Sequence, residues 1–301
     1  MIEHQPETRL HVFGSACHIV LGNGATDDLD PIELARNELA RLEAKFAAHA
    51  PGSVIGQLNH AAGTGEYTPL DAESRSLFSY VTALWEQSNH LYDPSTAVLT
   101  ARYDGQADLP DNTDRLELQL QLVGWSGLEL TTPGARLPRD GMRIDLDSCV
   151  RPYAVDSVRK LLQKHGIANA LIEIGQDVTG FGKQPDGANW LVGVRHPKGP
   201  STAIARLKLN DKGFALRGNF EHRLNIEGEN FGRALSPVDG QPIPGLLSVA
   251  VIAENCLTAC SAASIARFKT EKAGLRWLAK LGLPWMAIDR SLNCHGPLAP
   301  A

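Results

Sequence analysis

The sequence lacks the features that would place it in several large classes of protein. Its longest apolar runs, such as 245–253, fall far short of the roughly 20 residues a helix needs to cross a bilayer. No cluster of lysine and arginine is interleaved with aromatics, aromatics make up only 6% of the chain, and the net charge is −5. That balance argues against nucleic acid or an anionic membrane as a partner. The opening residues, MIEHQPETRLHVFG, show no basic segment followed by an apolar core and cleavage site, so the expectation is a cytoplasmic protein with no membrane insertion. The five cysteines, Cys17, Cys149, Cys256, Cys260 and Cys294, are odd in number and scattered, which does not describe a disulfide framework. Repeats, low-complexity tracts, Pro/Gly/Ser-rich linkers and charge blocks are all missing, so a single domain over 1–301 is expected. A G-x-G-x-x-G fingerprint after the first strand is also missing, so the sequence offers no sign of a Rossmann dinucleotide site.

What is present is an ordinary globular composition, 43% hydrophobic and 21% charged. Residues 12–21 carry strand-type side chains. Asp30 before Pro31, with Glu33 at the capping-box position, starts a helix with Ile32, Ala35, Leu39, Leu42 and Phe46 on one stripe. A second helix starts near Asp71 and aligns Leu77, Tyr80, Val81, Leu84 and Trp85. Between them HAPGSVIGQLNHAAGTGEYTPL is expected as a loop, and 104–114 as an exposed excursion. RIDLDS predicts a short strand over 143–148, leading into a helix over 153–165 that ends at Gly166. NALIEIGQDVTGFG predicts a strand entering a Gly-rich turn. NWLVGVRHP and AIARLKLN predict further strands, and HRLNIEGENFGRAL a hairpin turning at Glu227–Gly228. GLLSVAVIAEN predicts a buried strand, followed by helices over 257–269 and 271–281. Cys256 and Cys260 then share a helix face, either as small core residues or as a metal or redox pair. The class is α+β with mostly antiparallel strands.

The joint IDLDSCVRPYAVDSVRKLLQKHGI raises a question of its own. A strand running into a helix is a common phosphate seat, because the first helical amides are unpaired. Such seats usually contain glycine, and this joint has none before the helix.

The order of these segments resembles the FAD:protein FMN transferase (ApbE) family from about Phe13 to Asp289. FGSACHIVL is similar to the family's Gly-Thr strand, Ser53 with Leu58–Asn59 to its serine and L-N pair, and LYDPSTAVL to F-D-P-T. The joint together with NALIEIGQD resembles D-L-G-G-I-A-K-G-Y-A-V-D followed by N-L-G-G-D. SPVDGQPI resembles D-P-R-T-G-x-P, and CLTACSAASIARF resembles T-A-D-A-L-A-T-A. The resemblance implies a T-fold-like domain with FAD in a cleft. It also implies Mg²⁺-assisted cleavage of the FAD pyrophosphate and transfer of FMN to a threonine of a target flavoprotein.

It further implies site residues. FAD would be bound by His49, near the adenine, and by Ser148, Cys149, Arg151, Tyr153, Gly175, Gln176, Asp177, Arg233 and Ser236. Arg233 and Asp239 would be the catalytic candidates. Cys260 and Ser264 stand where the family has a metal-binding aspartate and threonine. Thiol is a poor ligand for Mg²⁺, so metal dependence is expected to be weak, unless Asp147 and Asp239 replace the lost oxygens. Asp147–Ser148 replaces two glycines, Arg151 replaces a lysine and Pro152 a glycine. Three readings therefore stand: an FMN transferase with an altered site, a flavin-binding protein that does not turn over, and an interaction protein with an empty cleft.

Overall fold

The structure is a computed structural model that describes residues 7–22, 30–100, 113–197, 203–218, 224–226, 229–231 and 234–300. The chain opens with a hairpin, β1 (Glu7–Val12) and β2 (Ser15–Leu21), where a single strand over 12–21 was expected. The turn between them sets Phe13 at φ 50° and Gly14 at φ 65°, the paired left-handed geometry that suits a two-residue hairpin. Helix α1 (Pro31–Phe46) follows its cap, with Asp30 accepting from the Ile32 amide at 2.9 Å. Within the segment read as a loop lies a helix, α2 (Val54–His60). Ser53 caps it by accepting from the Gly56 amide at 2.8 Å. Its seven residues are too few to show a helical period against the flanking turn residues, which is why sequence pattern hid it.

Helix α3 (Ala72–Gln87) is capped by Asp71 as expected. A 3₁₀ turn (Pro94–Thr96) is capped by Asp93 and precedes α4 (Ala97–Thr100) and α5 (Thr113–Leu122). Most of the expected excursion at 104–114 lies outside the described residues. A second 3₁₀ turn, Trp125–Gly127, and the ribbon β3 (Glu129–Leu130) and β4 (Ala135–Arg136) lead to α6 (Asp147–Lys164).

The expected strand at 143–148 is not one. Ile144 exchanges two hydrogen bonds with the Asn59 side chain, at 2.8 and 2.9 Å, and the Asp145 amide donates to the Pro94 carbonyl. The segment is extended, but side chains and loops satisfy it in place of a ladder. Helix α6 starts at Asp147, earlier than the expected 153, and runs through Pro152.

Strands β5 (Ala170–Ile174) and β6 (Asp177–Phe181) form a second tight hairpin where one strand and a turn were expected. The ribbon β7 (Trp190–Arg195) and β8 (Ala203–Leu209) follows, then β9 (Lys212–Gly218), which the sequence reading missed. The expected hairpin is present as β10 (Leu224–Ile226) and β11 (Glu229–Phe231). Strand β12 (Ser248–Ala253), α7 (Cys256–Arg267) and α8 (Glu271–Lys280) sit close to their expected bounds, and β13 (Trp285–Ile288) with β14 (Cys294–His295) closes the chain.

Eight strands join in one antiparallel sheet, in the order β1-β2-β5-β6-β9-β12-β13-β14. Its two faces bury different cores. On one, Ile19, Ile172 and Ile174 meet Leu39, Phe78, Val155 and Val158 of the helices. On the other, Val178, Phe214 and Ile252 meet Trp190, Val192 and Leu209 of the β7–β8 ribbon. A third cluster packs Val249 and Val251 of β12 against Ala259, Ala263 and Leu278 of α7 and α8. Strand β12 is buried at every position because both of its faces are covered.

Candidate functional site

Asp177 opens β6 directly after the turn at Gly175 and Gln176, where Gly175 takes φ 60°. It is 0% exposed. A buried carboxylate needs a cation or several donors, and β9 supplies the cation. Asp177 pairs in register with Ala215, so Arg217, two residues on, projects from the same face. Its Nη2 lies 2.5 Å from Asp177 Oδ1. The same nitrogen donates to Cys260 Sγ at 2.7 Å, and Nη1 donates to the Leu216 carbonyl. Arg151 of α6 approaches from the other side, with Nε 3.9 Å from Asp177 Oδ2 and Nη1 donating to Ser15 Oγ at 2.9 Å. Asp177 Oδ2 accepts no hydrogen bond.

Helix α7 is fixed against α6 by Asp156. Its two carboxylate oxygens accept from the Cys256 and Leu257 amides, each at 2.8 Å, which ties the first turn of α7 to the middle of α6. Burial raises the pKa of Asp156 against the opposing pull of those two amides. With α7 held there, the Cys260 thiol donates to the Ser148 carbonyl at 3.2 Å. That carbonyl would normally accept from the amide four residues on, which is Pro152 and has no N–H. The thiol thus takes the acceptor that proline leaves open, and this lets α6 begin at Asp147.

Ser264 Oγ lies 3.8 Å from Cys260 Sγ. Cys256 Sγ donates to the Phe214 carbonyl at 3.4 Å. Tyr92 lies behind the joint, its hydroxyl 2.6 Å from Ser148 Oγ and 3.0 Å from Cys149 Sγ.

Burial pushes the Cys149 thiol up to about 12 and also raises Cys260, where it outweighs the lowering influence of Arg217. Both are neutral thiols at physiological pH. Burial opposes the charge of Arg217, but Asp177 and Cys260 more than offset it and raise its pKa. Asp147 is raised to about 7 by burial and then by its neighbour Asp145, with Arg151 pulling the other way. The cluster therefore sets two guanidinium groups around the buried carboxylate of Asp177.

A cleft of about 630 Å³ opens at this edge of the sheet. Ser15, Gly175 and Gln176 line it together with Arg9, His18 and Glu173, which lie opposite one another in register on β1, β2 and β5 and project from the sheet face opposite to Asp177, so the cleft meets the cluster only at the hairpin turns. Ser15, Tyr92 and Arg217 are contributors that sequence reasoning missed. An arginine inside the otherwise apolar FALRG stretch was the available signal for Arg217.

The remaining expected residues are placed as follows. His49 is exposed on the loop after α1. The Tyr153 hydroxyl donates to Glu73 Oε1 at 2.8 Å, within the ion network of Glu73 with Arg41 and Lys45. Ser236 and Asp239 share a turn. Ser236 Oγ accepts weakly from the amides of Val238 and Asp239, and Asp239 Oδ1 accepts from the Gln241 amide. Arg233 lies outside the described residues. Asp93 is consumed locally, accepting from the Ser95 amide and hydroxyl and from the Trp125 amide.

The donor set at Cys260 does not fit Mg²⁺. Cys260 offers a neutral thiol and Ser264 a neutral hydroxyl, neither of them a hard anionic oxygen, and Asp177 Oδ1 is already held by a guanidinium. Among the described residues no group of three or more His, Cys, Asp or Glu side chains is arranged to hold a metal ion.

Comparison with known proteins places these features in a family. The model of the ApbE family matches residues 13–286. An FAD:protein FMN transferase of Klebsiella pneumoniae is 27% identical over 229 residues, 73% of this chain and 69% of the relative. The FAD:protein FMN transferase of Vibrio cholerae serotype O1 is 27% identical over 171 residues, 55% of this chain, and there the match spans about half, 51%, of the relative's length. A crystal structure of the ApbE protein of Thermotoga maritima superposes with TM-score 0.85 at 21% identity, covering 97% of both chains. That likeness carries the fold.

Proposed function

Because the chain belongs to the ApbE family, we propose that it binds FAD at the Asp177 cluster, next to the Gly175–Gln176 turn, and acts as an FAD:protein FMN transferase on a threonine of a target flavoprotein. The observation that carries this reading is the family match across 13–286. In the reaction proposed, the threonine hydroxyl oxygen attacks the FMN phosphorus, the pyrophosphate P–O bond breaks, AMP leaves, and the hydroxyl proton is released. The chain's part would be positioning and charge. Arg151 and Arg217 would offset the phosphoryl charge, Ser148 and the first turn of α6 would offer donors, and the Gly175–Gln176 turn would bring backbone close to the flavin. We treat 1–301 as one functional domain. The cysteines are all free, which suits a reducing, cytoplasmic setting.

A second reading, FAD held without transfer, is favoured by the Arg217–Cys260 contact, which leaves the donor set unsuited to Mg²⁺. One experiment separates the two. The protein is incubated with FAD and a threonine-bearing acceptor flavoprotein, and the acceptor is weighed by mass spectrometry while AMP is measured. An FMN adduct with stoichiometric AMP establishes transfer. Bound FAD with neither product establishes the second reading, and no bound FAD refutes both.

A further inference from the structure

The Asp177 cluster already contains a cation. We infer that the Arg217 guanidinium stands where the fold would otherwise use a divalent ion, so that a diphosphate ligand is held at the Asp177 cluster without metal. This rests on the FAD reading above and adds to it the identity of the charge that meets the phosphates.

Three observations carry it. First, a single nitrogen of Arg217 touches both Asp177 Oδ1, at 2.5 Å, and Cys260 Sγ, at 2.7 Å. A Mg²⁺ ion sits about 2.0–2.1 Å from its oxygens, so an ion bridging these two side chains would overlap the guanidinium. Second, Cys260 already serves two partners. It donates to the Ser148 carbonyl at 3.2 Å and accepts from Arg217, and as a neutral sulfur it is a poor ligand for a hard cation. An aspartate here could accept from Arg217 but could not donate to the Ser148 carbonyl that Pro152 leaves open. Cysteine, proline and arginine thus form one consistent set. Third, the charges balance toward an anion without metal. Below about pH 7, where the neighbouring Asp147 is neutral, Arg217 and Arg151 outnumber Asp177 by one positive charge, and their side chains are only 13% and 15% exposed. Adding a divalent ion would put further positive charge into the same buried space.

The test uses the full chain. FAD is titrated calorimetrically into the wild type in excess EDTA and in excess Mg²⁺, and Mn²⁺ uptake is followed by electron paramagnetic resonance. The expected result is an FAD Kd that agrees within about twofold in the two buffers, with Mn²⁺ remaining free with or without FAD. Arg217→Met should weaken FAD binding in EDTA by at least about tenfold, the scale of a lost charge-assisted bond. Since Arg217→Met leaves Asp177 alone and can unfold the chain, Arg217→Lys is the second variant, and it should bind FAD in EDTA with intermediate affinity. An FAD affinity that requires Mg²⁺, or stoichiometric Mn²⁺ uptake by the wild type, overturns the inference while leaving the FAD reading standing. No FAD binding in either buffer removes the FAD reading and the inference with it.

Discussion

The Pro152–Cys260 pair can be tested by a double-mutant cycle. In the wild type the Ser148 carbonyl is satisfied by the Cys260 thiol at 3.2 Å, because residue 152 offers no N–H. Cys260→Ala removes that donor. The buried carbonyl left unpaired costs about 1–3 kcal/mol, and the lost sulfur contact costs about 1 kcal/mol more. Pro152→Ala restores an amide four residues on from Ser148, able to make the ordinary helical bond. In that background Cys260→Ala should cost only the packing loss of about 1 kcal/mol. The loss of the acceptor for Arg217 occurs in both backgrounds and cancels from the cycle. The expected coupling is therefore about 1–3 kcal/mol. At an unfolding entropy of about 2 cal/mol/K per residue, a 301-residue chain should show this as roughly 2–5 °C in Tm. Urea unfolding of the four proteins, monitored by tryptophan fluorescence, resolves it. An equal cost for Cys260→Ala in both backgrounds, to within about 0.5 kcal/mol, would refute the claim that the thiol stands in for the missing amide.

Other outcomes follow from neighbouring contacts. Asp156→Asn replaces one accepting oxygen with an amino group facing the Cys256 or Leu257 amide; it should cost about 2–3 kcal/mol in chemical denaturation, and a loss under about 0.5 kcal/mol would show that α7 is held by packing alone. Gly213→Ala would place a Cβ 2.1 Å from the Cys256 amide nitrogen, against backbone that cannot yield cheaply; a loss of about 2 kcal/mol or more is expected, read by thermal melting. Asp147 has its folded pKa raised to about 7 by burial and Asp145. It is neutral below that pH and an anion above it, so its contribution to stability falls as pH rises from the ordinary carboxylate range through about 7. FAD affinity should weaken over the upper part of that window as the new charge meets the phosphates. Asp147→Asn should flatten both profiles, and an unchanged FAD pH profile in that variant would count against the placement.

Much of the fold was legible because its signals are local. Asp30 and Asp71 cap helices through amides two and three residues away, and the stripe from Ala35 to Phe46 needs only the helical period to reveal its buried face. The family blocks were legible for the same reason: each is a short run whose order survives in the chain. Strand β9 was not. Its partners β6 and β12 lie far off in sequence, and a seven-residue run containing two glycines and an arginine has no period of its own to declare. The sequence by itself determined that residue 152 has no amide proton, that residue 260 is a thiol and that a lone arginine sits at 217. Only the tertiary structure decided that these three meet. Sheet register sets Arg217 beside Asp177, and Asp156 sets α7 so that Cys260 reaches the Ser148 carbonyl. The physical reason is that a buried charge or an open carbonyl can be satisfied by any donor brought within about 3 Å. Which donor that is depends on the packing of segments 40 and 112 residues apart, which no local pattern records.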